Sequence, residues 1–128
     1  MSYLLDTNVV IHLRDGDADT LARVSALQGA VLLSIVSRVE LEGGVYRDPA
    51  QANLRRPRLD AILDVLPVLA FDDAAADAYR IIVEAAGYSR RKLLDGMIAA
   101  QALVHRATLV TRNGDDFRDV PGLSLLEW

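Results

Sequence analysis

The sequence predicts an α/β fold, a three-layer α/β/α sandwich around a mostly parallel central sheet. Three observations predict it. Short apolar runs alternate with helix-length stretches along the whole chain, the pattern of strands joined by crossover helices. Several of those runs end abruptly in an acid, a hydroxyl or an amide. One helix-length stretch, Leu93 to Arg106, is apolar on nearly every side, as suits a helix buried against a sheet. With no repeat, linker or low-complexity tract, the 128 residues are expected to form one domain, 1–128.

Taken in order, Tyr3-Leu4-Leu5 reads as a buried strand that stops at Asp6, with Thr7 placed to cap a helix running to Asp15. Gly16 ends that helix, and Asp17 opens another from Ala18 to Leu27. Ala30 to Ser34 is the second strand. Ser34 or Ser37 then caps a helix from Arg38 to about Arg47. Within it Glu40 shares a face with Val36, Gly43 and Gly44, and so should point toward the packed side. Adjacent glycines in a helix cost on the order of 1 kcal/mol each, which suggests that another backbone or a ligand comes close. Pro49 restarts a helix, Gln51 to Val65, which Pro57 should kink or restart. Pro67 to Phe71 is the third strand, and Asp72 caps a helix from Asp73 to Ala86 that Gly87 closes. A basic link, Tyr88 to Lys92, leads into the apolar helix. Thr108 to Thr111 is the fourth strand, Arg112 to Asp119 a polar turn, and Leu123 to Leu126 a short last strand.

Composition narrows the possibilities. An apolar content of 52% with 25% charged residues fits an ordered globular protein. There is no cysteine, which removes disulfides and thiolate metal sites. No leader pattern and no membrane-length apolar run is present, so a cytoplasmic location is expected. The formal charge of -4 lacks the basic face usual in nucleic-acid binders, although Arg55, Arg56 and Arg58 and then Arg90, Arg91 and Lys92 form local basic clusters.

Four carboxylates fall in comparable places. Asp6 ends the first strand, Glu40 lies on the helix after the second, Asp95 opens the apolar helix, and Asp116 follows the fourth strand. Parallel α/β topology gathers such positions at one edge of the sheet. Asp95 is the most informative, because a carboxylate within an apolar helix needs a cation, and no basic residue follows in that helix until His105 and Arg106. Each acid alone is more often structural; four together need a neutralising cation. Oxygen-only ligands suit Mg²⁺ or Mn²⁺. A carboxylate cluster holding such ions serves in-line attack of activated water on a phosphodiester.

These residues resemble the motifs of PIN-domain ribonucleases, specifically the VapC-type toxins of bacterial type II toxin–antitoxin modules. The resemblance rests on Leu5-Asp6-Thr7-Asn8, on Ser37-Arg38-Val39-Glu40-Leu41 with Gly44, on Leu94-Asp95 with Ile98-Ala99-Ala100, and on Leu109 to Asn113 with Asp116-Phe117. It implies a Mg²⁺- or Mn²⁺-dependent endoribonuclease with Asp6, Glu40 and Asp95 as the core metal-binding acids and Asp116 as a more variable fourth. Asn8, Thr111 and Asn113 would be supporting hydrogen-bonders. The resemblance further implies a homodimer, a VapB-type antitoxin partner, operator DNA bound only through that antitoxin, and no membrane association. Gly96 stands where many members carry a larger residue, and Asn113 where some carry Asp, so Asp115 competes with Asp116 as the fourth ligand. Arg90, Arg91 and Lys92, just ahead of Asp95, are candidate RNA contacts; Arg55, Arg56 and Arg58 are as well explained as a solvated face.

Two rivals come from other classes. A catalytically silent RNA- or partner-binding module of the same fold would keep the pocket without cutting. A phospho-acceptor signalling domain would want adjacent acids after the first strand and a late lysine, whereas the only lysine is Lys92. His12 and His105 are expected to be structural, the latter at a helix C-terminus that suits its charged form.

Overall fold

A computed structural model describes every residue from Met1 to Trp128. Five strands, β1 (Ser2–Leu5), β2 (Ala30–Ser34), β3 (Val68–Leu69), β4 (Thr108–Thr111) and β5 (Leu125–Glu127), form one sheet in the order β3-β2-β1-β4-β5. Every pairing is parallel. Six helices connect them: α1 (Thr7–Arg14), α2 (Ala18–Ser25), α3 (Ile35–Arg47), α4 (Ala52–Val65), α5 (Asp73–Ala86) and α6 (Leu93–Val104).

Strands buried on both faces must be apolar at consecutive positions, and these are. Leu4 and Leu109 join one core with Ile82 of α5 and Ile98, Ala99 and Ala102 of α6. Their neighbours Leu5 and Val110 join the opposite core with Val9 and Val10 of α1, Leu41 and Val45 of α3 and Leu59 of α4. Full burial of each large aliphatic side chain contributes roughly 1.5–3 kcal/mol. The apolar segment expected to be a central helix is one: Ile98 through Ala102 of α6 is wholly buried.

Chain order decides where the site lies. The chain builds outward from β1 to β2 and β3, then returns past β1 to add β4 and β5 on its other side. Strand order reverses between β1 and β4: the chain leaving β1 goes on to β2 on one side, and the chain leaving β4 goes on to β5 on the other. That opens a crevice at the position where α/β sheets bind ligands. Asp6 follows β1 and Thr111 ends β4.

Several local expectations are corrected. Asp6, not Thr7, is the N-cap of α1, its Oδ1 accepting the Thr7 N–H at 2.8 Å. Helix α3 starts at Ile35 rather than Arg38, because the Ser34 hydroxyl accepts the Val36 N–H and caps the first turn. Helix α4 runs unbroken through Pro57, whose ring lies on the exposed side. Strand β3 is shorter than the expected Pro67–Phe71, since the carbonyls of Leu69 and Ala70 are taken by the side-chain amide of Gln101 instead of a neighbouring strand. Helix α6 stops at Val104, where Arg106 turns into the left-handed region at φ 51. The last strand is shifted to Leu125–Glu127, with Leu123 packed into the core. Gly87, at φ 84, closes α5 as expected. Finally, Glu40 is an exposed residue rather than one on the packed face.

Candidate active site

Asp6 is held from both sides of the crevice. Its backbone N–H donates to the Val110 carbonyl at 2.9 Å, which extends the β1–β4 ladder by one residue and carries the side chain to the sheet edge. Oδ1 is occupied by the cap of α1, and Oδ2 accepts the Thr111 hydroxyl at 2.9 Å. Thr111 in turn accepts the Asn113 N–H at 3.0 Å. The carboxylate is therefore 4% exposed yet fully hydrogen-bonded. Burial raises its pKa; the Thr111 and Thr7 bonds oppose that, and the charges of Glu40 and Asp116 add to it.

Thr7 ties the second acid in. Its hydroxyl donates to Glu40 Oε1 at 2.9 Å and lies 2.8 Å from the Ser37 hydroxyl, which must then be the donor of that pair. Helix α3 leaves β2 beside α1, so Ser37 faces Thr7 and the exposed Glu40 still curls its carboxylate back to the first helix turn.

Asp95 occupies the first turn of α6, half-buried. Its pKa is pushed up to about 6, first by burial, then by the negative charges of Asp6, Asp116 and Glu40, with Arg91 opposing. Asp116 lies in a 3₁₀ turn, Gly114–Phe117, and shares with Asp95 a narrow slot that Tyr79 also lines. Asp115 turns outward, exposed, onto Arg118 at 2.6 Å. Of the two competing fourth acids, Asp116 is the one that faces the others.

The four acids thus share one electrostatic environment, although no three of them converge closely enough to hold a single ion as they stand. The donors are hard oxygens, and the mutual repulsion that adds to burial in raising Asp6 and Asp95 is what a divalent cation relieves, so the residues fit such an ion.

The remaining expected residues divide. Asn8 is exposed on the rim of the crevice, and Asn113 contributes its backbone N–H rather than its side chain. Arg91 faces Asp95 electrostatically, Lys92 is paired with Asp119 at 2.9 Å, and Arg90 is exposed. Arg55 lies in the crevice and donates to the Gly44 carbonyl at 2.9 Å, whereas Arg56 is engaged by Glu42 and Asp60. The close approach expected at the paired glycines is a side chain. Gly43 faces open space, while a Cβ on Gly44 would lie 3.1 Å from Arg14 Nη1. Arg14 itself, 5% exposed, had no signal in the sequence beyond its place near a helix end. Asp6, Glu40 and Asp95 line a polar cleft of about 700 Å³ together with Arg14, Arg47 and Arg55 and the further acids Asp15 and Asp48, with Ile11 the sole apolar residue lining it.

Fold and sequence together define the class. The chain matches the PIN domain family over residues 3–123 and belongs to it. Among individual proteins it is similar to Ribonuclease VapC2 of Rickettsia felis, at 28% identity across all of this chain and 98% of the relative. Among solved structures it is similar to VapBC2 from Rickettsia felis bound to a DNA fragment from their promoter, with TM-score 0.86 and 27% identity, covering 100% of this chain and 99% of that one. FitAcB from Neisseria gonorrhoeae gives TM-score 0.82 and 28% identity over 98% of this chain and 96% of the other. No helix is long and apolar enough to cross a membrane.

Proposed function

We propose that this protein is the toxin of a type II toxin–antitoxin module and acts as a Mg²⁺- or Mn²⁺-dependent endoribonuclease. The observation that carries the proposal is the electrostatic grouping of Asp6, Glu40, Asp95 and Asp116 at the reversal of strand order, in a domain whose relatives include a ribonuclease and a member of the VapBC family of toxin–antitoxin systems. Asp6, Glu40 and Asp95 would hold the ion, with Asp116 as the fourth ligand. When bound, the ion supplies Lewis acidity toward a phosphoryl oxygen and a water of lowered pKa.

The chain's own residues supply the rest. Thr111 and the Thr7 N–H favour the charged form of Asp6 against the burial that raises its pKa. Thr7 and Ser37 fix the Glu40 carboxylate from one side. Asp95, its pKa pushed up to about 6 by burial and by the neighbouring acids, offers a charged carboxylate above that pH. The cleft guanidiniums offset charge that the substrate brings. By analogy with the VapBC and FitAcB assemblies, the partner is a VapB-type antitoxin, the toxin a homodimer, and operator DNA is met through the antitoxin.

Cleavage of total RNA and transfer RNA by the purified protein tests this, comparing Mg²⁺ or Mn²⁺ with EDTA and wild type with Asp95→Asn. Discrete fragments that need metal and vanish in the variant are expected. Absence of cleavage by folded, antitoxin-free protein with either metal would favour the silent binding module.

A further inference from the structure

Arg14 is the feature of the cleft that the four-acid site leaves unexplained. It sits at the last turn of α1, about 12 Å along the helix axis from Asp6. Its guanidinium is almost wholly buried. Nε and Nη2 both donate to Asp15 Oδ1 at 3.1 Å. Nη1 stands against Gly44, a residue lining the cleft, with no protein acceptor, and since no fully buried side-chain nitrogen or oxygen lacks a partner, it retains contact with solvent. The residue also borders an apolar groove lined by Leu21, Val24, Ile62 and Val65. Gly44 makes the position possible: a side chain there would push Nη1 back.

A guanidinium locked by packing, with one N–H group left open beside a polar cleft, is a preorganised anion contact. We propose that Arg14 Nη1 binds a phosphate of the RNA backbone next to the one positioned over the acids, and so sets the strand's path through the cleft. Arg55, anchored on the Gly44 carbonyl, flanks the same path. The chemistry recognised is the phosphodiester, not a base. An acidic peptide would suit a lone arginine equally, but the shared cleft with the acids favours the strand that those acids act on. The inference rests on the ribonuclease assignment.

The test is binding of a fluorescein-labelled single-stranded RNA of mixed sequence, followed by anisotropy over a salt series with Mg²⁺ present. Every protein carries Asp95→Asn, so that nothing is cut. Adding Arg14→Gln should weaken binding about tenfold, the weight of one charge-assisted hydrogen bond. It should also make the dependence of log affinity on log salt shallower by about 0.7, one phosphate contact on a single strand. Arg14→Lys should keep most of that slope. Gly44→Ala, which helix propensity favours, should stay folded and weaken binding by displacing Nη1. An unchanged slope in folded Arg14→Gln, while wild type cuts RNA, would overturn the inference alone and leave Arg14 a strut between Asp15 and α3. If Arg14-intact protein neither binds nor cuts RNA, the ribonuclease assignment falls first and this one with it.

Discussion

The Thr111 hydroxyl donates to Asp6 Oδ2 at 2.9 Å across 105 residues of sequence. This single bond spans the crevice between β1 and β4 and ties the first acid to the last strand of the site. Burial raises the pKa of Asp6, donors on its two oxygens oppose that, and Thr111 is the donor that only the tertiary fold can supply.

Thr111→Val, which keeps the shape and removes the donor, should lower metal affinity 10–100-fold, the usual penalty for losing a bond that orients a ligand. Thr111→Ser should restore it. Mg²⁺ titration of the cleavage rate checks both.

Asp95→Asn should abolish cleavage and also stabilise the metal-free protein at neutral pH. The folded-state pKa of about 6 lies above the ordinary 3.8, so the folded chain holds the extra proton between those values. The associated stability is complete below pH 3.8 and lost as pH rises through about 6. A carboxyl open to solvent on one side retains only part of that effect, about 1 kcal/mol. Thermal unfolding in EDTA at pH 4 and pH 7 should show wild type losing ground to Asp95→Asn at the higher pH.

Mg²⁺ or Mn²⁺ at about a hundred times its dissociation constant should stabilise wild type by about 2.7 kcal/mol. The gain should shrink below pH 6, where Asp95 is protonated, and disappear in Asp6→Asn. Thermal shift with and without EDTA at pH 5 and pH 8 measures it.

Gly96→Leu should destabilise the fold by roughly 1–3 kcal/mol, the range for overpacking. Even a Cβ there would lie 2.9 Å from Tyr79 Cε1, and Tyr79 lines the slot that Asp95 and Asp116 share. Urea denaturation gives the stability, and cleavage by the folded fraction should fall as the ring moves.

Gln101→Leu should cost about 3 kcal/mol, because it strips the amide that serves the partly buried Leu69 and Ala70 carbonyls and the acceptor that serves the buried Ser34 hydroxyl. Urea denaturation checks it.

Much of this architecture was legible in the sequence because its signals are local. Consecutive apolar residues at Leu4 and Leu5 demand burial on both faces. The apolar circumference of Leu93–Val104 demands a central helix, and Asp72 and Gly87 bound α5 by chemistry confined to a few atoms. Boundaries slipped where a distant group outcompeted a local preference. Gln101 shortened β3, and the hydroxyl of Ser34 turned the β-branched pair Ile35-Val36 into helix.

The sequence by itself determined the fold class, the alternation of strand and helix, and which acids stand at strand ends. Those follow from periodicity, caps and the chemistry of an unpaired carboxylate in apolar surroundings. Only the tertiary structure decided that Asp116 rather than Asp115 faces the pocket, that Thr7, Ser37 and Thr111 hold the acids, and that Gly44 is small for the sake of Arg14. Side-chain direction at a turn and contacts across a strand-order reversal depend on groups far apart in the chain. No local pattern encodes them, and packing settles them when the sheet assembles.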